Sequence, residues 1–234
     1  ANDLQDIAGH EVLDGNLSIV DSALAELDSL AQLREVNGNL TIANNTELTT
    51  LVGLESLTII RGDLTIYGNP ALTNLSGLNQ LVRVAGTVFI IENPALETVE
   101  GLDSLETVGK SFKLIDNGNV NDLSSLKALT TVSRSVNIIS NDSLENLNGL
   151  TNLSTLADIT IRGNSNMVNL QGLDALNHVP GKVTIMSNEN LLSLRGLESL
   201  QSISGELDVS YNMKLKELTG PENLSEVKGK IFFF

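Results

Sequence analysis

One pattern, returning every twenty-four residues, decides what this chain can fold into. Gly62, Leu64 and Ile66 are followed by Asn69, Leu72, Leu75, Gly77, Leu78, Leu81 and Val84. From Gly86 the pattern runs again through Val88, Ile90, Asn93, Leu96, Val99, Gly101, Leu102, Leu105 and Val108. Self-similarity at so short a period is the signature of a solenoid, in which each unit is one coil stacked on the next. The register places strand starts at Leu17, Leu40, Leu64, Val88, Phe112, Val136, Ile159, Val183, Leu207 and Ile231. Every interval is twenty-four residues except two of twenty-three, Leu17 to Leu40 and Val136 to Ile159. Such steady registration leaves no room for a linker. The sequence predicts a repeat solenoid, mainly β, spanning residues 1–234 as a single domain of about nine repeats. Its form is a right-handed coil of 23–24-residue units with one parallel β-sheet face.

Within one coil, Leu40 and Ile42 alternate with Asn39, Thr41 and Ala43, the period-two mark of a strand with one buried face. Leu48, Leu51, Leu54, Leu57 and Ile60 then arrive at three-residue spacing, which fits a return path of turns or 3₁₀ segments better than an α-helix. Gly53 interrupts that path and recurs as Gly77, Gly101, Gly149, Gly172, Gly196 and Gly220, with Ser125 in its place once. The backbone there is expected to need a conformation costly for other residues. A lone coil cannot offset the entropy of ordering its own backbone with about seven inward apolar side chains, so stacking is what makes it stable. Aromatic residues are only 3% of the chain, which suits identical layers built from Leu, Ile and Val.

The most regular polar column is Asn45, Asn69, Asn93, Asn117, Asn141, Asn164, Asn188 and Asn212, with Ser22 in the first coil. A carboxamide has two donors and an acceptor, so a stacked column can satisfy backbone groups and tie coil to coil. It is expected to be a structural ladder rather than a sugar-binding array.

The pattern G-x-L-x-I-x-x-N-x-x-L-x-x-L-x-G-L-x-x-L-x-x-V resembles the receptor L-domain branch of the leucine-rich repeat superfamily. Ordinary leucine-rich repeats place Leu two residues after the Asn, whereas Leu48, Leu72 and Leu96 stand three after it, as in the L-domain branch. That branch includes the ligand-binding domains of insulin- and epidermal-growth-factor-type receptors, fungal wall proteins and microbial surface proteins. The resemblance implies a recognition or adhesion module, extracellular or on the cell surface, in a microbial or secreted member. Receptor L domains carry cysteines and this chain has none, which argues against a hormone-receptor role.

A net charge of −15 argues against nucleic acid and anionic membrane surfaces as partners. No stretch is apolar enough for membrane insertion, and no signal-peptide pattern stands at the start. The run Glu92, Glu97, Glu100, Asp103 and Glu106 reads as a solvated rim. The oxygen-rich loop Asp116–Asp122 lacks the spaced carboxylates of a calcium site and reads as a variant turn, so no metal is expected. His10 and His178 lie seven coils apart and cannot share a metal or a reaction; both are expected to be structural. With no Cys and no nucleophile, phosphate-loop or dinucleotide motif, neither a catalytic residue nor a cofactor is expected. Seven Asn-x-Ser/Thr triplets begin at Asn16, Asn39, Asn44, Asn74, Asn141, Asn152 and Asn223, a number that a chain of this composition produces by chance.

The outward sheet positions are more informative. One column runs Ala43, Tyr67, Ile91, Ile115, Ile139, Arg162, Met186 and Ser210; the column beside it includes Phe89, Lys113 and Asn137. Tyr67, Phe89, Ile91, Ile115 and Ile139 form the candidate binding surface for a protein or carbohydrate ligand, framed by Asp63, Lys113, Asn137 and Arg162. The alternatives are a passive spacer in a larger surface protein and an ice-binding solenoid; Phe89, Lys113 and Asn137 interrupt the Thr ladder that the latter needs. The apolar last strand, Lys230 to Phe234, is expected to continue into a longer chain or to mediate self-association through its edge.

Overall fold

The computed structural model describes Leu4 and residues 7–233. Ten parallel strands form one front sheet in unbroken chain order, from Leu17–Val20 to Ile231–Phe233. The repeat register is met in all ten. Leu40, Leu64, Val88 and Phe112 open their strands and pair position for position. Ser135–Ile139 and Asp158–Arg162 each start one residue early. The result is a mainly-β parallel solenoid of about nine turns.

The inner coils bury the same set. Leu40, Ile42, Leu48, Leu51, Leu54, Leu57 and Ile60 are all fully enclosed, and the later coils repeat the column up to Ile203; the last coil leaves Leu215, Leu224 and Val227 half-buried and Leu218 exposed. The core is a continuous rod built mainly of Leu, Ile and Val, with Phe112 as the one buried aromatic side chain among the described residues.

The return path has more order than its spacing suggests. Two-residue strands at Val12–Leu13, Glu35–Val36, Ile59–Ile60, Arg83–Val84, Thr107–Val108 and Thr131–Val132 form a second parallel ladder. A three-stranded continuation joins His178–Val179, Ser202–Ile203 and Glu226–Val227. These strands are too short to show period-two alternation, but the buried position is β-branched in Val36, Ile60, Val84, Val108 and Val132, which favours an extended backbone.

The interruption between the two ladders coincides with the second twenty-three-residue interval. Leu156 to Ile159 is one residue shorter than Val132 to Val136; Thr155 still pairs with Thr131 at the back, donating to the Thr130 carbonyl and accepting from the Val132 N–H, but no strand pairing carries the ladder on to His178. The front strands absorb the change by pairing one residue earlier, Ser135 with Asp158.

Gly77 illustrates why the return-path glycine recurs. Its φ is 117°, and a Cβ there would overlap the Leu51 carbonyl of the coil below. Where Ser replaces this Gly, at Ser125 and also at Ser29, neither residue has a positive φ, and the segment tightens into a 3₁₀ helix: Asp28–Leu30 and Ser124–Leu126.

Candidate functional site

The Asn column is a buried ladder. Asn45 through Asn188 are fully enclosed, and Asn212 is 7% exposed. Asn93 shows the unit. Its backbone N–H and Nδ2 both donate to the Asn117 Oδ1, at 3.0 and 3.2 Å, while Nδ2 also donates to the carbonyls of Ile66 and Ile91. Each carboxamide thereby joins its own coil to both neighbours. Ser22 closes the start by donating through N–H and Oγ to Asn45 Oδ1. No buried side-chain nitrogen or oxygen among the described residues lacks a partner. With its acceptor and both donors spent inside the fold, this column has nothing to offer a sugar.

A second, shorter ladder runs at the residue before each strand. Asn16 Oδ1 accepts the Asn39 N–H, Asn39 Oδ1 accepts the Asp63 N–H, and Asp63 Oδ1 accepts the Thr87 N–H. Gly62 belongs to this corner: a Cβ there would strike Asn39 Oδ1, so the close approach demands glycine. The triplets at Asn16 and Asn39 thus sit on structural carboxamides, and Asn141 is fully buried in the main ladder.

The sheet face brings the five candidate residues together. Tyr67 pairs with Ile91, Ile91 with Ile115, and Ile115 with Ile139, so the four form one column across four coils. Phe89 lies opposite Lys113 in the adjoining column. Tyr67 is exposed at 38%, whereas Phe89, Ile91, Ile115 and Ile139 are half-buried, because coils stacked in register cover each side chain from above and below. The Lys113 ammonium sits 5.2 Å from the centre of the Phe89 ring, so Lys113 caps an aromatic anchor rather than framing it from outside. Arg162 continues the column beyond Ile139. Ala43 and Ser210, at the ends of the same column, are buried.

The two flanks of the sheet differ in charge. On the flank where strands begin, opposite charges meet across coils: Arg34 with Glu11, Arg61 with Glu35, Lys110 with Asp63, Lys182 with Glu206 and, within one short strand's reach, Lys228 with Glu226. These are the five ion pairs among the described residues. The Lys182–Glu206 hydrogen bond, at 2.8 Å, raises the Lys182 pKa and lowers that of Glu206, with their mutual Coulomb attraction adding to both shifts.

On the other flank, each strand leaves the sheet through a left-handed turn. Asp21, Asn44, Glu92, Asp116, Ser140, Ser187 and Tyr211 have φ between 51° and 58°. From that residue to the second one after the ladder position, this flank carries six exposed acids: Asp21, Glu47, Glu92, Asp116, Asp142 and Glu189. Lys214 is its one base. None of the six forms an ion pair.

The remaining sequence candidates are accounted for by ordinary contacts. Asp122 accepts from the Ser124 N–H and Oγ at 2.8 and 2.7 Å, Asn119 donates to the Pro94 carbonyl, and Val120 is buried, so residues 116–122 form a regular coil turn. No group of three or more metal-binding side chains stands together among the described residues. His10 and His178 are both exposed, and the His178 Nδ1 lies 2.8 Å from Ser202 Oγ. Grooves lie at the last coils, lined by residues such as Leu194, Leu218, Leu224 and Phe233. In the terminal strand Ile231 and Phe233 are about half exposed; Phe234 lies outside the described residues.

Residues 11–108 match the family described as Receptor L domain. The fold is a parallel β-solenoid, and over the matched span its coils are similar to those of receptor L domains. Beyond the matched span the front strands go on pairing in parallel through the later coils. Among solved structures, the leucine-rich repeat domain of the type III effector XopL is similar at 18% identity and a TM-score of 0.48, covering 97% of this chain and 80% of that one. No curated protein sequence matches the chain significantly. No helix among the described residues is long and apolar enough to cross a membrane.

Proposed function

We propose that this chain is a non-enzymatic recognition module that binds a protein partner, outside the cell, through its front sheet. The observation that carries the reading is the registered column Tyr67–Ile91–Ile115–Ile139, with Phe89 beside it, on a face whose other residues are largely polar. Receptor L domains are typically extracellular ligand-binding units, in keeping with this reading. An apolar strip that runs across four coils suits a macromolecular surface better than a small substrate.

The test is to select binders from a displayed peptide library on the immobilised chain and re-measure them against variants. Tyr67→Ala and Ile115→Lys are expected to weaken most selected binders about tenfold, since central aromatic and apolar contacts dominate interface energetics. Glu100→Lys, on the return path, is expected to leave them unchanged. Both face variants should keep their denaturation midpoints. If no binder emerges, or if the binders ignore the face variants, the chain is a spacer and the reading fails.

A further inference from the structure

Resting on that reading of the sheet face, we infer that the partner presents a cationic amphipathic helix laid along the axis of the solenoid. Two observations combine. The apolar column Tyr67, Ile91, Ile115 and Ile139 lies at the last strand position, directly beside the flank whose acids have no cationic partner. Glu92 follows Ile91 and Asp116 follows Ile115, and the left-handed turn at each directs an exposed carboxylate away from the coil. The opposite flank offers no such contrast, because it carries bases as well as acids and several of them meet in cross-coil ion pairs. A partner that covers the apolar column therefore meets unpaired negative charge along one edge only. Electrostatic complementarity calls for Lys or Arg in a row beside the partner's apolar stripe.

Spacing selects the form of that stripe. Coils repeat about every 4.8 Å along the rod, matching turns of an α-helix at about 5.4 Å and fitting poorly with same-face strand residues at about 6.8 Å. Across the three steps from Tyr67 to Ile139 the mismatch reaches about 2 Å for a helix and about 6 Å for an extended strand. Flexible side chains absorb the first and not the second. Lys113, resting on Phe89, shows that an ammonium group is compatible with the apolar surface itself.

The probe is an eighteen-residue synthetic peptide with Leu at helical spacing and Lys along one adjacent edge; its counterpart carries Glu in place of Lys. Binding to the full chain is read by fluorescence anisotropy and peptide helicity by circular dichroism. The Lys peptide is expected to bind, to become helical, and to weaken with salt. Glu92→Lys with Asp116→Lys should weaken it about tenfold or more, because complementary charge becomes repulsive. Glu100→Lys with Glu106→Lys alters net charge equally on the return path and should change affinity less than about twofold. Equal loss with both pairs, equal binding of the Glu peptide, no binding of the Lys peptide, or a bound peptide that stays unstructured would each overturn the inference. If Tyr67→Ala abolishes binding while the two peptides bind alike, the sheet-face reading stands and the cationic helix falls. If the charge reversals matter and Tyr67→Ala does not, the sheet-face reading itself falls.

Discussion

Replacing Asn117 with Ala removes the middle rung of the buried ladder. The Asn117 Oδ1 accepts the Asn93 N–H at 3.0 Å and the Asn93 Nδ2 at 3.2 Å, and its Nδ2 donates to the Ile90 and Ile115 carbonyls at 2.9 Å each. After truncation the Asn93 side chain keeps Ile66 and Ile91 as acceptors, and the Ile115 carbonyl keeps the Glu92 N–H. The Asn93 N–H loses its partner in a fully buried site, and the Ile90 carbonyl loses one bond. Orphaning a buried N–H costs about 1–3 kcal/mol, so the whole change is expected to cost about 2–4 kcal/mol. Asn45→Ala should cost less, because the Ser22 N–H that it would orphan is only half-buried. Asn117→Asp adds a sharper test. It keeps the acceptor but turns a second oxygen toward two carbonyls, so burial and repulsion raise the folded-state pKa of the new carboxyl above its unfolded value. Its penalty should therefore shrink as pH falls toward the ordinary carboxylate range, while that of Asn117→Ala stays flat. Urea denaturation at several pH values reads both. No loss in Asn117→Ala, or parallel pH curves for the two variants, would refute a structural ladder.

Gly77→Ala should destabilise by more than about 2 kcal/mol, because positive φ and the Leu51 carbonyl both oppose a Cβ. Gly118→Ala, where nothing lies within 4 Å, should change the midpoint little; similar losses in thermal melts would show that neither constraint operates. Lys182→Met should let the Glu206 pKa rise back toward 4.5, as followed by NMR titration. Because the wild-type Glu206 pKa is lowered, any stabilisation from this pair is present above the unfolded value and is lost as pH falls through the folded one; an unmoved Glu206 titration would exclude the pairing in solution. Ile231→Lys with Phe233→Lys should reduce self-association by charging the terminal edge strand, and strictly monomeric sedimentation of the parent chain at high concentration would rule that association out.

Much of the architecture is legible in one coil. Period-two alternation at Leu40 and Ile42, three-residue spacing from Leu48 to Ile60 and the single Asn45 suffice to set the register, and identical stacking propagates it. What escapes is whatever depends on neighbours twenty-odd residues away without a uniform column. Arg61 and Glu35 become partners only when two coils are superposed. The Asn16, Asn39 and Asp63 ladder mixes side-chain types and dissolves into serines and threonines at Thr87 and Ser111, so it carries no repeat signal. The candidate face is legible as a list of outward residues, but its exposure is not. Ile91, Ile115 and Ile139 shelter one another, and the Lys113 contact with Phe89 depends on a side-chain path that spacing does not specify. Acids after Ile91 and Ile115 are visible in the sequence, yet their significance emerges only once every ion pair is found on the opposite flank.

The shortened coil between Leu156 and Ile159 has a mechanical consequence. A whole unit presents the same donors and acceptors to the coil on either side, so a rod of this kind can be lengthened or shortened in steps of one unit with its remaining bonds intact. A step of one residue cannot be hidden that way. The front wall carries on across Ser135 and Asp158, while no strand pairing joins Thr155 at the back to His178–Val179, where the next back ladder begins. One side of the rod is thus continuous and the other is notched. Bending that closes the front sheet and opens the back meets least resistance at this notch, and lengthening the array on either side would leave the yielding point where it is.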